Sequence, residues 1–494
     1  MAVHMFQSEV AYKSIQNAQL KQLLENNKNA WISGTQYPDA GYAPGSIGQE
    51  KHVWGEASHW APFILSYLDV VIEECGGRYL TDAYCGQLTA HFLGAAAHGL
   101  QDQVFDSLFI PKVTEIDHKG QETTDIGIDM VLLREHDRHE FIPKPWFTPV
   151  DQLETVYQRM GFSEEEANRK QIISATKLSE FANRGERIIA PILYWQYKSL
   201  MPWGSRHYMD YPGGVEFGGQ ATANFWQHLW VLLNAESDNA EPRLIVLPTQ
   251  NAANVAINKR NTDTQITVTF DRYIIPSSVN NTTFQVRDEF GHHVNGSFSL
   301  FASASQDHAE ANMIRFRPNE TLLYNTLYTV SLSGDVLDDT GSSIFGAMGY
   351  TWTFKTEADN NYVQLASQGF CLALSHLSDV NSDIPVNLQP CSDARHYQWF
   401  KDETNQWHNR ARADLCLQPE NSEIKIGRKV VAAQCNNTVA QQWQFNDADG
   451  SFQTADGANY ALGTFLRAWP RMQLILLPPK DSDRQQWSII PVND

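Results

Sequence analysis

With 494 residues the chain exceeds what one hydrophobic core organises, since cores stop growing beyond roughly 250–300 residues, so roughly two to four domains are expected. An apolar fraction of 42% with 19% charged residues is that of a soluble globular protein, and no run approaches the roughly 18 uncharged apolar residues of a membrane span. The formal net charge of −20 repels phosphate backbones and argues against nucleic acid as a partner, although a cationic cluster could still hold one small phosphate.

The start, MAVHMFQSEV, lacks the charged beginning and apolar stretch of a signal peptide. The six cysteines fall in spaced pairs (Cys75 and Cys85, Cys371 and Cys391, Cys416 and Cys435) with no Cys-x-x-Cys among them, which favours disulfides in an oxidising compartment over redox catalysis or a zinc ribbon. A secreted or extracellular location is therefore expected, by a removed signal or another export route.

Residues 1–243 are predicted to form a mainly α domain, because Leu-, Ala- and Gln-rich helical periods dominate: Asn17 to Asn27, Ala61 to Glu74, Thr81 to Leu100, Pro149 to Gly161 and Ala221 to Leu233. Within it His98, Asp102 and Asp106 recur at i, i+4 and i+8, which places three ligating side chains on one helical face. Asp125 and Asp129 add a second i, i+4 pair. Scattered acids on a surface helix would look the same singly, but the apolar neighbours Leu93, Ala95, Ala96, Ala97, Val104, Leu108 and Phe109 predict a buried helix, where bare carboxylates are costly and a divalent cation offsets them.

In order, Tyr37-Pro38-Asp39, Ser58-His59-Trp60-Ala61-Pro62-Phe63, His98-x-x-x-Asp102-x-x-x-Asp106 and Asp125-x-x-x-Asp129 resemble the zinc-dependent phospholipase C superfamily over about residues 1–235. That superfamily includes the catalytic part of glycosylphosphatidylinositol-specific phospholipase D, and the HG-x-x-D-x-x-FD form is similar to bacterial phosphatidylcholine-hydrolysing phospholipases C. The resemblance implies that His59, His98 and Asp102 hold metal, with Asp102 bridging two ions. It places Asp106, Asp125 and Asp129 where the family carries a further His/His/acid set, and Asp39 where an acid contacts the attacking water. The family's remaining metal sits near the chain start, where His4 and Glu9 are the donors at hand, although the N-terminal tryptophan of the family is absent. Two or three zinc ions are implied. Two family histidines appear here as aspartates, so Mn²⁺, Mg²⁺ or Ca²⁺ competes more seriously than usual.

The implied reaction is hydrolysis of a phospholipid at a membrane surface, such as phosphatidylcholine, to diacylglycerol and a phosphorylated headgroup. A choline group suits aromatic faces, and Tyr37, Trp54 and Trp60 are the expected substrate-binding residues, with Trp31 and Tyr42 in the same region. Ordinary core packing is the competing reading for each. The other histidines (His52, His91, His118, His207) match no motif and are expected to be structural or at the surface.

From residue 244 to 357 short strand-like runs (Gln265 to Phe270, Tyr328 to Leu332, Thr351 to Phe354) alternate with Asn/Asp/Gly turns, the pattern of a β-sandwich. The phrases Val268-Thr269-Phe270-Asp271 and Trp352-Thr353-Phe354-Lys355-Thr356 resemble bacterial Ig-like spacer domains. His292-His293 on a Gly-rich turn is expected to be a solvated loop.

From 360 to 494 the chain repeats. Trp399, Trp443 and Trp487 stand 44 and 44 residues apart, and Phe370-Cys371-Leu372, Leu415-Cys416-Leu417 and Tyr460-Ala461-Leu462 stand 45 apart. Three units too small to bury their own apolar faces must share one core. This resembles the ricin-B type β-trefoil lectin, whose intra-repeat disulfides match the Cys371/Cys391 and Cys416/Cys435 spacings, while Ala461 and Pro479 replace the third. A glycan is the implied partner. The family's Asp after Cys-Leu is replaced by Ala373, Gln418 and Gly463, and the second lobe, with Gln418 and Asn436-Asn437, has the most polar candidates. The expected fold class is thus multidomain: a mainly α catalytic domain, an Ig-like β-sandwich and a β-trefoil. The alternatives are an extracellular zinc nuclease or phospholipase D-type phosphodiesterase, or a non-catalytic carbohydrate-binding adhesin.

Overall fold

The computed structural model describes residues 2–136, 146–235, 242–257, 266–299, 311–375 and 383–492. The chain is multidomain, with a helical first half followed by β domains. It divides into two compact units, Met1–Thr356 and Glu357–Asp494.

Five helices position the site: α1 (Ala2–Ser14), α3 (Lys28–Ala40), α6 (Ala83–Val104), α8 (Gln121–His136) and α10 (Arg169–Leu200). Between and after them lie α2 (Ala18–Asn26), α4 (Val53–Ala57), α5 (Ala61–Cys75), α7 (Ile110–Asp117), α9 (Val150–Arg159), α11 (Gly204–His207) and α12 (Val215–Leu233). Capping marks several starts: Asn17 accepts from the amides of Gln19 and Leu20, Asp82 from that of Cys85, and Asn168 forms a reciprocal capping box with Gln171. The Cys75–Cys85 disulfide ties the end of α5 to the first turn of α6.

Helix α6 is buried along nearly its whole length, which its Ala- and Gly-rich sequence permits. A Cβ at Gly94 would lie 2.1 Å from the Trp31 carbonyl oxygen, and one at Gly34 would lie 2.1 Å from that of His91. Only glycine lets the α3 and α6 backbones approach this closely. The π-helical turn Phe105–Phe109 follows α6. The expected continuous i, i+4, i+8 face therefore breaks after Asp102, and the wider turn resets the direction of Asp106.

Among the described residues the sandwich has eight strands, β1 (Ile245–Leu247), β2 (Ala252–Val255), β3 (Ile266–Ile274), β4 (Phe284–Asp288), β5 (Gly296–Ser299), β6 (Ala311–Pro318), β7 (Leu327–Leu332) and β8 (Tyr350–Thr356). They form two sheets in the orders β1-β3-β6-β5 and β2-β8-β7-β4. Gln265, at the head of the expected first run, lies outside the described residues. Every residue of β3 is buried. Ile266, Val268, Phe270 and Ile274 face the sandwich core, while Tyr273 joins the helical core, its ring 5.3 Å from that of Phe225 on α12. Arg315 on β6 donates to the Ser107 carbonyl at 3.0 Å. A spacer would expose the outer faces of its sheets; this sandwich instead packs one face onto α12 and the π turn.

In the second unit the repeat is visible in single bonds. The indole N–H of Trp399 donates to the Leu372 carbonyl at 3.0 Å, that of Trp443 to Leu417 at 2.8 Å, and that of Trp487 to Leu462 at 2.9 Å. All three rings are buried in one core. Disulfides Cys371–Cys391 and Cys416–Cys435 are formed. In the second lobe the side chain of Gln441 brackets the backbone, donating to the Gln434 carbonyl and accepting from the Asn436 amide. In the third, Gln485 does the same with Pro478 and Lys480, without a disulfide beside it.

Candidate metal centre

His4 from α1, Asp39 from the end of α3, His59 after α4, and His98 and Asp102 from α6 converge. The imidazole Nδ1–H of His59 donates to the Gly55 carbonyl and that of His98 to the Thr35 carbonyl, both at 2.7 Å. Nδ1 of His4 faces the carbonyl oxygen of Gln101 at 3.2 Å, whose amide nitrogen is used in donating to Ser8 and Thr222. A carbonyl can only accept, so in each ring the proton sits on Nδ1 and Nε2 presents a lone pair.

Those three lone pairs look at carboxylates. Nε2 of His98 lies 3.4 Å from Asp102 and 3.6 Å from Asp39; Nε2 of His59 lies 3.6 and 3.7 Å from the same two; Nε2 of His4 lies 3.3 Å from Asp102. Burial pushes His4 well below and His98 below the ordinary histidine range, so both rings are neutral and their lone pairs oppose carboxyl oxygens. The Nε2 of His98 is fully buried with no hydrogen-bond partner. Two donors each about 2.1 Å from a tetrahedral ion stand about 3.4 Å apart, which is the spacing found. The donor set fits a divalent cation, and the backbone bonds behind the rings are the outer contacts that orient histidine ligands.

All of these converging residues but His98 line a cavity of about 450 Å³, together with Val3, Tyr42, Lys51, Glu56, Trp60, Phe105, Asp106, Gln121, Glu122, Asp125 and Asp129. Burial, then repulsion from Asp106, Asp39 and Asp125, pushes Asp102 well above the usual carboxylate range. Burial raises Asp106 to about 7, and burial together with Asp106 raises Asp125 to about 8. Acids that resist joint ionisation in one cavity are what a multivalent cation would relieve.

Placement of the sequence candidates is uneven. Asp106, Asp125 and Asp129 line the cavity, but they do not converge as tightly as the His/Asp groups; Asp106 accepts from Gln121 at 2.8 Å and Asp129 from the Val3 amide at 2.9 Å. Glu9 does not line the cavity: it lies on α1 beyond His4 and pairs with Lys13 at 3.0 Å, because five residues along a helix turn it away from the face of His4. Tyr37 and Trp54 are core residues. Their rings stack at 5.5 Å, both are buried, and Tyr37 bonds Tyr157. Trp60 does line the cavity, donating to Glu56 at 2.9 Å.

Residues without a motif were missed: Lys51, Glu56 and Gln121, on connections or helix starts. The hydroxyl of Tyr42 also donates to Glu56, so Tyr42 and Trp60 form one tied wall. His91 is buried against the Tyr67 hydroxyl and His52 stacks on Trp54, structural as expected. His118 and His292-His293 are exposed. His408 beside Cys416 and Cys435 is no thiolate site, since those sulfurs are bonded to each other. In the trefoil Gln418 is buried and accepts from Gln441, while Asn437 accepts from Gln406; the second lobe's polar candidates are largely used inside the fold.

Residues 238–356 match the family model of the bacterial Ig-like domain, and residues 360–487 that of the ricin-type β-trefoil lectin domain. The chain is similar to phosphatidylinositol-glycan-specific phospholipase D. It is 25% identical over 236 residues to the Rattus norvegicus protein, covering 44% of this chain and 27% of the relative, and 23% identical over 253 residues to the Homo sapiens protein, covering 47% and 29%. The match thus spans less than a third of the length of those relatives. Solved structures similar to it include the Vibrio vulnificus hemolysin/cytolysin β-trefoil lectin with N-acetyl-D-lactosamine bound (16% identical, 28% of this chain and 98% of that one, TM-score 0.23). The designed three-fold symmetric protein ThreeFoil is another (20% identical, 27% and 100%, TM-score 0.25).

Proposed function

We propose that the cavity is a metal-dependent phosphodiesterase centre of the phospholipase C type, acting on glycerophospholipids such as phosphatidylcholine. The observation that carries this reading is the set of three histidines whose Nδ1 protons are spent on carbonyl groups while their lone pairs face Asp39 and Asp102. His4, His59, His98 and Asp102 would hold the cations, zinc first among them, and Asp106, Asp125 and Asp129 form a carboxylate-rich end where Mn²⁺, Mg²⁺ or Ca²⁺ competes. Bound there, divalent cations supply Lewis acidity to the phosphodiester oxygens and acidify the attacking water.

The chain's own residues supply the rest. Asp39, whose carboxylate faces the His59 and His98 rings at 3.7 and 3.6 Å, accepts the proton of the water that attacks phosphorus. Lys51 in the cavity lining places a positive charge for a non-bridging phosphoryl oxygen, and the Tyr42–Glu56–Trp60 wall faces the headgroup. The bond from phosphorus to the glycerol oxygen breaks, and the departing diacylglycerol oxygen takes a proton from solvent.

The names of the curated relatives favour a second reading, phospholipase D-type cleavage on the headgroup side. Mass spectrometry of products from phosphatidylcholine liposomes, with zinc or manganese and with chelator, separates the two. Phosphocholine plus diacylglycerol supports the C-type reading, phosphatidic acid plus choline replaces it with the D-type, and absence of a metal-dependent product refutes both. Secretion is the setting that three disulfides fit. The trefoil would add glycan tethering at a cell surface, raising local concentration there.

A further inference from the structure

Helix α10 has two unlike long faces. Ile172, Ala175, Thr176, Ser179, Asn183 and Ala190 are buried, and Asn183 reaches Gln36 on α3. On the other side Phe181, Gly185, Ile188, Ile192 and Trp195 follow one another at steps of four, three, four and three residues, which keeps them in one stripe. Phe181 is 75% exposed, Ile188 74%, Ile192 74% and Trp195 73%. Four large apolar side chains aligned along about 20 Å of helix form a contiguous exposed strip of the kind that marks an interaction site, unlike scattered surface hydrophobics.

Charge indicates what covers it. Helix α10 carries six basic residues and two acidic ones in a chain whose net charge is −20; Arg169, Arg184 and Lys198 are paired with Asp151, Glu180 and Glu135, which leaves Lys170 and Lys177 as its exposed cations. Exposed Lys170 and Lys177 extend the apolar stripe toward the helix start, and Arg184 borders it. Of the two acids, Glu180 is paired with Arg184, and one carboxylate oxygen of Glu186 is buried. An apolar strip with Trp at one end and bordering cations is the pattern of a helix lying in a bilayer interface.

The helix also packs against α3, α8 and the short turn Ala43–Ile47, the elements that bring Asp39, Asp125, Asp129 and Tyr42 to the cavity. Ile47 and Val53, 58% and 57% exposed, flank Lys51 of the cavity lining.

We propose that the Phe181–Ile188–Ile192–Trp195 face of α10 is a membrane-docking surface that seats the protein on a phospholipid bilayer. The proposal concerns binding and stands whether or not the cavity hydrolyses the lipid. Its test is co-sedimentation of the full chain with phosphatidylcholine vesicles, with and without phosphatidylserine, in chelator so that turnover does not intervene. The wild type should partition onto vesicles, more strongly with phosphatidylserine, and the fourfold Phe181→Ser, Ile188→Ser, Ile192→Ser, Trp195→Ser variant should lose at least tenfold in partition at unchanged melting temperature. Should that variant fold poorly, the wild type and Trp195→Phe should differ in quenching by brominated lipid. Equal partition of wild type and variant, no vesicle binding by the wild type, or identical quenching would overturn the proposal. So would a dimer of the wild type that the variant abolishes without changing vesicle binding.

Discussion

The trefoil and the candidate metal centre both rest on buried polar contacts, but they are organised in opposite ways. In the trefoil one contact recurs three times, an indole N–H on the carbonyl of the leucine in the preceding phrase, so loss of one lobe's disulfide leaves its equivalents as a guide. At the candidate metal centre no contact repeats: His4, Asp39 and His59 come from separate elements and join His98 and Asp102 of α6, and the three imidazoles are each held by a different carbonyl. Repetition makes a region tolerant of drift, whereas convergence makes every member matter. The two regions should therefore respond differently to single substitutions.

The largest effect is expected at the convergent site. Asp39→Asn should lower kcat on phosphatidylcholine by about 10²–10⁴-fold, read by product release, with far-ultraviolet circular dichroism unchanged. Gly94→Ala comes next, because its Cβ would meet the Trp31 carbonyl at 2.1 Å; forcing α3 from α6 should destabilise the first unit by about 1–3 kcal/mol, measured by urea unfolding, and should loosen metal binding with it. The repeated region should be more forgiving. Gln485→Ala should destabilise the trefoil by about 1–2 kcal/mol, and Gln441→Ala by less, since Cys416–Cys435 still closes that lobe. Equal losses would remove the contrast between bridged and unbridged lobes.

A pH trend is expected of the metal-free cavity. Asp106 and Asp125 titrate near 7 and 8 when folded and near about 4 when unfolded, so the folded metal-free protein binds more protons across that interval. Its stability should fall as pH rises from about 4 to about 8, seen as a declining melting temperature in chelator. Added cation should flatten or reverse the slope, because it binds the ionised carboxylates.

Different physical signals explain what the sequence reveals. The trefoil is legible because its 44-residue period marks buried tryptophans directly, and the helices because their apolar periodicity reflects burial. His98 and Asp102 stand out through i, i+4 spacing on a helix whose neighbours are apolar. Lys51, Glu56 and Gln121 carry no periodic signal, since they reach the cavity through the path of connections and the start of α8. Tyr37 and Trp54 mislead for a related reason: proximity to Asp39 and His59 in the chain does not say which way a ring turns, and both rings turn into the core. The sandwich was legible as strands, but its docking on α12 shows only in the two-sided burial of β3, where Thr267, Thr269 and Asp271 look like an outer face by composition.

The most direct test is the metal content of the dialysed full-length protein, by inductively coupled plasma mass spectrometry, for the wild type and for His98→Ala and Asp102→Ala. Retention of zinc or manganese by the wild type at two or three equivalents, with a marked loss in both variants while the fold persists, is the predicted result. A wild type that retains no divalent metal, or variants that retain as much as the wild type, would contradict the assignment of the His/Asp array as a metal centre.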